Sequence, residues 1–212
     1  MRKFLIFFLV AVVVLAVVAD IFVKGLAERE VAAELSSALE LDEEPEVEIE
    51  SFPFLIAFAQ GNFDAMTISS EDVDAGALRI SEITLILEDV SFEPSEVIGG
   101  STDEITIEGG SGSGVLTDQD LTRSLQSKGG EGSVTFSGGE AQVDTDAGLA
   151  TASVEIDDGV LGISTPDGVV SVTFRLPTLG GRVTYEGIEI EDGEAILDLG
   201  VAPGELRRPA ES

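Results

Sequence analysis

Three Asp-Gly pairs do most to limit what this chain can become. Asp158-Gly159, Asp167-Gly168 and Asp192-Gly193 each stand between runs in which apolar and polar residues alternate. Period-two alternation places successive side chains on opposite faces of a strand, and Asp-Gly accepts the backbone of a tight hairpin turn. Ala152, Val154 and Ile156 lead into the first pair, and Val160, Leu161 and Ile163 follow it. Val170, Val172, Phe174 and Leu176 follow the second. Val183, Tyr185, Ile188 and Ile190 precede the third, with Gly187 as a bulge, and Ala195 to Leu199 leave it. The same pattern runs earlier through Val47 and Ile49, Met66 and Ile68, Leu78 and Ile80, Ile83, Leu85 and Leu87, Ile105 and Ile107, Val134 and Phe136, and Ala141 and Val143. Gly76 and Ser81-Glu82 are candidate turns or bulges. The chain therefore holds about ten strands, most of them joined as antiparallel hairpins.

Three stretches break this pattern in favour of helix. From Lys24 to Leu41, Ala27, Val31, Leu35, Ala38 and Leu39 share one face, with Gly25 as a point where the helix can bend. Pro94 to Ile98 suits a short helical turn. Thr117 reads as an N-cap for a helix to about Ser127, with Leu116, Leu121 and Leu125 inward and Gly129-Gly130 after it. The class is α+β with a large antiparallel sheet. Such helices cover only part of so long a sheet, so either the sheet curls on itself or apolar surface is left for a ligand.

Ahead of these elements, Met1-Arg2-Lys3 is followed by sixteen residues without a polar side chain, Phe4 to Ala19. Asp20 interrupts the run, which resumes through Val23. A cleaved signal peptide would use Val17-Val18-Ala19 as its site. The preferred reading is an uncleaved signal anchor over residues 1–23, since Phe4 to Val23 make about 30 Å of helix and no breaker separates them from the next helix. Arg2 and Lys3 would keep the N-terminus in the cytoplasm. Asp20 would then lie near the outer interface, where its cost is small. Residues 24–203 would form one extracytoplasmic domain, and residues 204–212 a frayed tail.

Glu50 to Asp64 carries four of the eleven phenylalanines, Phe52, Phe54, Phe58 and Phe63, with Phe92 not far beyond. Pro53 suits a helix start, Phe54, Leu55 and Phe58 recur at helical spacing, and Gly61-Asn62 stops the run. This short apolar helix either plugs the end of a core or forms the mouth of a site for an apolar ligand.

Composition removes several functions. The net charge is −30, from 41 acidic and 11 basic residues, so no basic patch can neutralise a nucleic-acid backbone. Cys and His are absent, which excludes thiol nucleophiles, Ser-His-Asp chemistry and the usual zinc sites. Gly109 to Gly114 is Gly-rich but lacks the Gly-Lys-Ser/Thr ending of a phosphate loop, and reads as a flexible loop or a bulged strand. Asp144 to Gly148 and Asp157-Asp158-Gly159 do not fit calcium-loop spacing and read as hairpin turns. No cofactor or metal site is expected.

Several of these residues together carry a resemblance. Ala19-Asp20, Ala27-Glu28-Arg29-Glu30-Val31-Ala32, Val47-Glu48-Ile49, Ser51-Phe52-Pro53-Phe54-Leu55 and Gly61-Asn62-Phe63-Asp64 resemble the LmeA-like family of actinobacterial cell-envelope proteins. Ser51 stands where that motif carries Gly. Leu176-Pro177, Val183-Thr184, Gly187-Ile188 and Gly193 are similar to the family's closing hairpins. The resemblance implies a membrane-anchored, extracytoplasmic, non-enzymatic protein that binds phospholipids, inositol phospholipids among them, and supports lipoglycan assembly. It also implies a tubular fold, with a curved sheet around a helix and a groove for acyl chains.

The expected lipid contacts are Phe52, Pro53, Phe54, Leu55, Phe58 and Phe63. Arg79, Arg175 and Arg182 are the candidate head-group partners. Two other readings follow from the same residues: an anchored interaction domain with a solid core, or a carboxylate-based hydrolase, for which no particular pair stands out.

Overall fold

The computed structural model describes residues 2–39, 41, 43–76, 78–99, 105–130, 132–146, 148–177 and 181–206. Helix α1 (Arg2–Leu39) runs unbroken through Gly25. Strand β1 (Glu46–Ile49) follows, then α2 (Phe54–Gln60) and the long hairpin of β2 (Asn62–Ala75) and β3 (Leu78–Ser91). Next come α3 (Pro94–Ile98), β4 (Ile105–Ile107), β5 (Gly109–Thr117) and α4 (Asp118–Ser127). A meander of β6 (Ser133–Ser137), β7 (Glu140–Thr145), β8 (Gly148–Asp157), β9 (Val160–Ser164) and β10 (Ser171–Arg175) leads to β11 (Val183–Ile190), β12 (Glu194–Val201) and β13 (Gly204–Leu206).

The expected α+β class and large antiparallel sheet are both present. The strands divide into an eight-stranded sheet, with main path β1-β2-β3-β5-β12-β11 and β4 and β13 beside it, and a five-stranded sheet, β10-β9-β8-β7-β6. Neither closes into a barrel. Strand β8 pairs with β7 through Gly148 to Ala152 and with β9 through Ser153 to Asp157, so it changes partner midway. Inward side chains of both sheets and of α4 join one hydrophobic core.

The Gly-rich stretch is not a loop. It is β5, in the middle of the larger sheet, paired on both sides. Gly110, Gly112 and Gly114 lie opposite Leu87, Leu85 and Ile83 of β3, and opposite Val201, Leu199 and Leu197 of β12. All six of those flanking side chains are buried. The glycines leave a trough that these neighbours fill. A Cβ at Gly112 would strike the Thr84 carbonyl oxygen and come within 2.8 Å of Leu85 Cδ2. The close approach, not flexibility, is what requires glycine here.

Helix α4 begins as its residues predict. Thr117 Oγ1 accepts from the Asp120 N–H, and the Asp120 carboxylate accepts from the Thr117 N–H, a reciprocal capping box. Asp120 is buried and also receives Ser81 of β3 and Arg123. Burial works to raise its carboxyl, but the bonds from Ser81 and Thr117 and the Arg123 charge outweigh burial and hold it below the usual carboxylate range. Leu121 and Leu125 point into the core, and Thr122 is bonded both ways to the Val134 backbone, fixing α4 on β6.

One boundary differs from expectation. Gly204 to Leu206 pairs with Leu206↔Ile105, Glu205↔Thr106 and Gly204↔Ile107. Order therefore extends three residues past 203, because β4 offers an edge that a strand can complete. The rest of the expected tail, 207–212, lies outside the described residues. At residue 23 α1 continues without a break, as the absence of a helix breaker there implied, and runs along the edge strand. Glu28 Oε1 accepts the Ile49 N–H at 2.9 Å, while Ala27, Val31, Ala32 and Leu35 pack on the core. Ala38 and Leu39, the remaining members of that expected stripe, have side chains outside the described residues. Gly187 is a bulge, with the register shifting between Tyr185 and Gly187.

Candidate functional site

Pro53 stands at the N-terminus of α2 and has no side chain able to cap it, so the first N–H groups need a partner from elsewhere. Asp20 of α1 supplies it. Its Oδ2 accepts the Phe54 N–H at 2.8 Å, and its Oδ1 accepts the Leu55 N–H at 2.8 Å. Only 5% of Asp20 is exposed. The lone acid in the apolar run is thus the joint between the N-terminal helix and the aromatic helix. A negative charge at a helix N-terminus also complements the aligned peptide dipoles.

The loop leading into α2 is fixed as firmly. Ser51 is buried, and its Oγ accepts the Asp64 N–H at 2.8 Å. The Phe52–Pro53 peptide bond is cis. At the other end Gly61 adopts φ 72°, closing α2 with its N–H on Phe58 O, and its carbonyl accepts the Phe92 N–H at 2.8 Å. A Cβ at Gly61 would run into the Phe92 carbonyl, so glycine lets α2 press against the end of β3.

This geometry divides the aromatic motif into two groups. Phe54 and Phe63 are buried and Phe58 and Phe92 half-buried. Together they make a ring of four: Phe54 meets Phe58 at 6.0 Å and Phe63 at 5.5 Å between centroids, and Phe92 meets Phe58 at 5.5 Å and Phe63 at 4.8 Å. Such offset contacts add to burial. Phe52, Pro53 and Leu55 turn outward, with Phe52 73% and Leu55 42% exposed. Ile56 is 55% exposed beside them, and Ile98, 76% exposed, lies at the far end of α3, the helix that contacts α2. Sequence reasoning missed Asp20, Ile56 and Ile98 as members of this corner. A single acid interrupting an apolar run was the only local signal, and its partners lie more than thirty residues away.

The three candidate head-group arginines do not gather here. Arg79 is bound to Asp72 at 2.8 Å near the tip of the β2–β3 hairpin. Eleven residues of strand separate it from Val90, which pairs with Phe63, a distance of about 35 Å. Arg182 donates to the carbonyls of Pro203 and Glu205, securing β13. Arg175 is exposed at the end of β10, in the smaller sheet, and has no ion pair among the described residues. The cation that α1 brings to this end is Lys24, one turn past Asp20 and 3.4 Å from Glu28.

A recess lined by Thr145, Leu149, Thr165, Asp167, Val169 and Val170 has a volume of about 60 Å³. That is room for a few waters, against the several hundred Å³ that enclosed organic ligands occupy. It lies in the smaller sheet, away from the aromatic corner.

A protein-family model described as LmeA-like phospholipid-binding matches residues 18–200 of the 212. The chain belongs to the LmeA-like phospholipid-binding family. The LmeA-like region begins two residues before Asp20 and ends within β12, so it takes in the Asp20 joint and both sheets except β13, and leaves out most of the apolar N-terminal run. Phospholipid binding, the property that names the family, is not a catalytic function. No characterised protein and no solved structure matches the chain.

Proposed function

We propose that this LmeA-like chain is a non-enzymatic protein of the cell envelope, held in the membrane by α1 with its N-terminus in the cytoplasm, that binds or shuttles phospholipid outside it. The observation that carries the reading is the apolar corner joined to the apolar helix, within a chain of a phospholipid-binding family. Arg2 and Lys3 support the orientation. Acyl chains lie against Phe52, Pro53 and Leu55 and the half-buried edge of Phe58, with Phe54 and Phe63 as the floor. The phosphate is met by backbone donors, since Lys24, Arg79 and Arg182 are engaged and Arg175 is on the other sheet. Inositol phospholipids and a supply role in lipoglycan assembly are the finer form of this reading.

The test is phospholipid capture by the full chain in mild detergent, measured by native mass spectrometry after incubation with donor vesicles. Stoichiometric lipid, reduced in a Phe52→Ser/Leu55→Ser variant that retains its fold, supports the proposal. A chain that captures none refutes it.

A second reading is favoured by the closed ring of phenylalanines. In that reading the chain is an anchored interaction domain with a solid core. It predicts no captured lipid and a specific crosslinked partner protein.

A further inference from the structure

Outside α1, seven large apolar side chains are exposed among the described residues, and four of them, Phe52, Leu55, Ile56 and Ile98, belong to the corner of α2, its preceding loop and α3. We infer that this corner is a membrane-seating surface, sunk into the interfacial layer of the same bilayer that α1 crosses. The inference rests on the reading of α1 as a membrane anchor and adds to it the depth and orientation of the domain.

Helix length sets the depth. The sixteen apolar residues ahead of Asp20 make about 24 Å of helix, against about 30 Å of hydrocarbon. The four residues Asp20 to Val23 must complete the span, which brings Asp20 to the boundary of the apolar layer. Ile21 and Phe22 are strongly exposed and Val23 partly so, as lipid contact at that level requires.

A free carboxylate at that boundary would turn to water at small cost. Here the carboxylate is not free: both oxygens are taken by the N–H groups of Phe54 and Leu55, and the side chain is buried. Asp20 cannot sit at the boundary without α2 beside it. From Phe8 to Ala19 every residue but Ala11 is exposed, so the domain does not cover that stretch of α1. Along α1 the domain starts at the level of α2, where Phe52, Leu55 and Ile56 are exposed.

Charge identifies the kind of contact. Glu93 and Glu96 flank Ile98, Asp64 is exposed beyond α2, and Lys24 is already paired with Glu28. A peripheral helix that binds by attraction to anionic lipid carries basic residues on its polar face. This corner has none to offer, so it seats by burying apolar surface and gains nothing from anionic lipid. The lipid site of the proposed function would thereby open at the bilayer surface, with no aqueous gap to cross.

The chain has no cysteine, so single-cysteine variants of the full-length protein can each carry one polarity-sensitive dye. Ile56→Cys and Ile98→Cys report on the corner, Leu149→Cys and Val169→Cys on exposed apolar sites elsewhere, and Val13→Cys on the anchor. All are reconstituted in phosphatidylcholine vesicles containing nitroxide lipids, and retention of fold is checked by circular dichroism. The inference expects Val13→Cys to be quenched by deep nitroxides. It expects the two corner dyes to be blue-shifted and quenched about twofold or more by nitroxides near the head group, with the Leu149 and Val169 dyes unaffected.

Corner dyes that behave like those at 149 and 169, while Val13→Cys is quenched, overturn the seating and leave the anchor intact. Failure at Val13→Cys removes the anchor and the seating with it. Corner dyes that are blue-shifted yet unquenched show a protein cover, a second copy or a partner, and also overturn it. Quenching that strengthens when anionic lipid is added refutes the apolar mode. Because none of these readings measures captured lipid, a seated corner on a protein that captures no phospholipid would fail the proposed function alone.

Discussion

Replacing Asp20 with Ala should loosen α2 selectively. The substitution removes two charge-assisted bonds of 2.8 Å, to the N–H groups of Phe54 and Leu55. Hydrogen bonds to a charged group contribute about 1.5–3 kcal/mol each. The Leu55 side is partly open, so water replaces its lost partner in part. Phe54 is 1% exposed, and its N–H would be left without a partner. Against this, the variant no longer buries a carboxylate, which returns part of the cost. The net effect is about 2–3 kcal/mol, above the roughly 0.5–2 kcal/mol of an ordinary N-cap because two N–H groups lose a charged partner. At 1.36 kcal/mol per factor of ten, amide exchange in α2 should accelerate by about 30- to 150-fold. Hydrogen-exchange mass spectrometry on the full chain in nanodiscs reads this directly, comparing peptides over 52–60 with peptides over 83–88 in β3. Asp20→Asn should not rescue, because its NH₂ must face one of the two N–H groups. Unchanged exchange over 52–60 would refute the joint, and equal acceleration over 83–88 would refute its being local.

Two further outcomes follow from the packing. Gly112→Ala should cost about 3 kcal/mol, because its Cβ meets the Thr84 carbonyl and the Leu85 side chain, whereas Gly25→Ala, with open space around it in α1, should stabilise by up to about 1 kcal/mol. Thermal unfolding followed by circular dichroism should show the two midpoints moving in opposite directions, and equal shifts would contradict the strand assignment of β5. Tyr185 is the single tyrosine, its hydroxyl donates to Pro177 O at 2.7 Å, and burial pushes its ionisation up to about 12. With the folded value raised above the unfolded value near 10, Tyr185 contributes stability that is complete below about pH 10 and lost as pH climbs through about 12. Absorbance titration of the phenolate should find that midpoint, Tyr185→Phe should abolish the alkaline loss at a cost of about 1 kcal/mol at neutral pH, and a midpoint like that of free tyrosine would refute the buried setting.

Local chemistry was readable wherever it was sufficient. Alternation marked strands such as β10, β11 and β12, because a strand's period is written into its own residues. Thr117 and Asp120 announced the start of α4, and Gly61 the end of α2, because a cap is made within four residues. Gly187 marked its own bulge. The Gly109–Gly114 run left loop and bulged strand both open, and the strand is what forms, without a bulge, for a definite reason: its place in the sheet comes from Leu85 and Leu197 filling the space above it, and those residues lie on β3 and β12. Arg79, Arg175 and Arg182 looked alike as scarce cations in an acidic chain. Their separation was set by partners on other segments, Asp72 for the first and the Pro203 and Glu205 carbonyls for the last.

By itself, then, the amino-acid sequence determined the α+β class, the antiparallel hairpins, the apolar N-terminal helix and the family, all of which rest on short-range pattern or on residues read in order. Only the tertiary structure decided how the phenylalanines divide, with Phe54 and Phe63 in the core and Phe52 outside it. It also decided what Asp20 is for. A carboxylate in an apolar helix can be a cost or a cap, and which one depends on whether two N–H groups from another part of the chain arrive to meet it. Here they arrive from α2, and that meeting places the aromatic corner against α1.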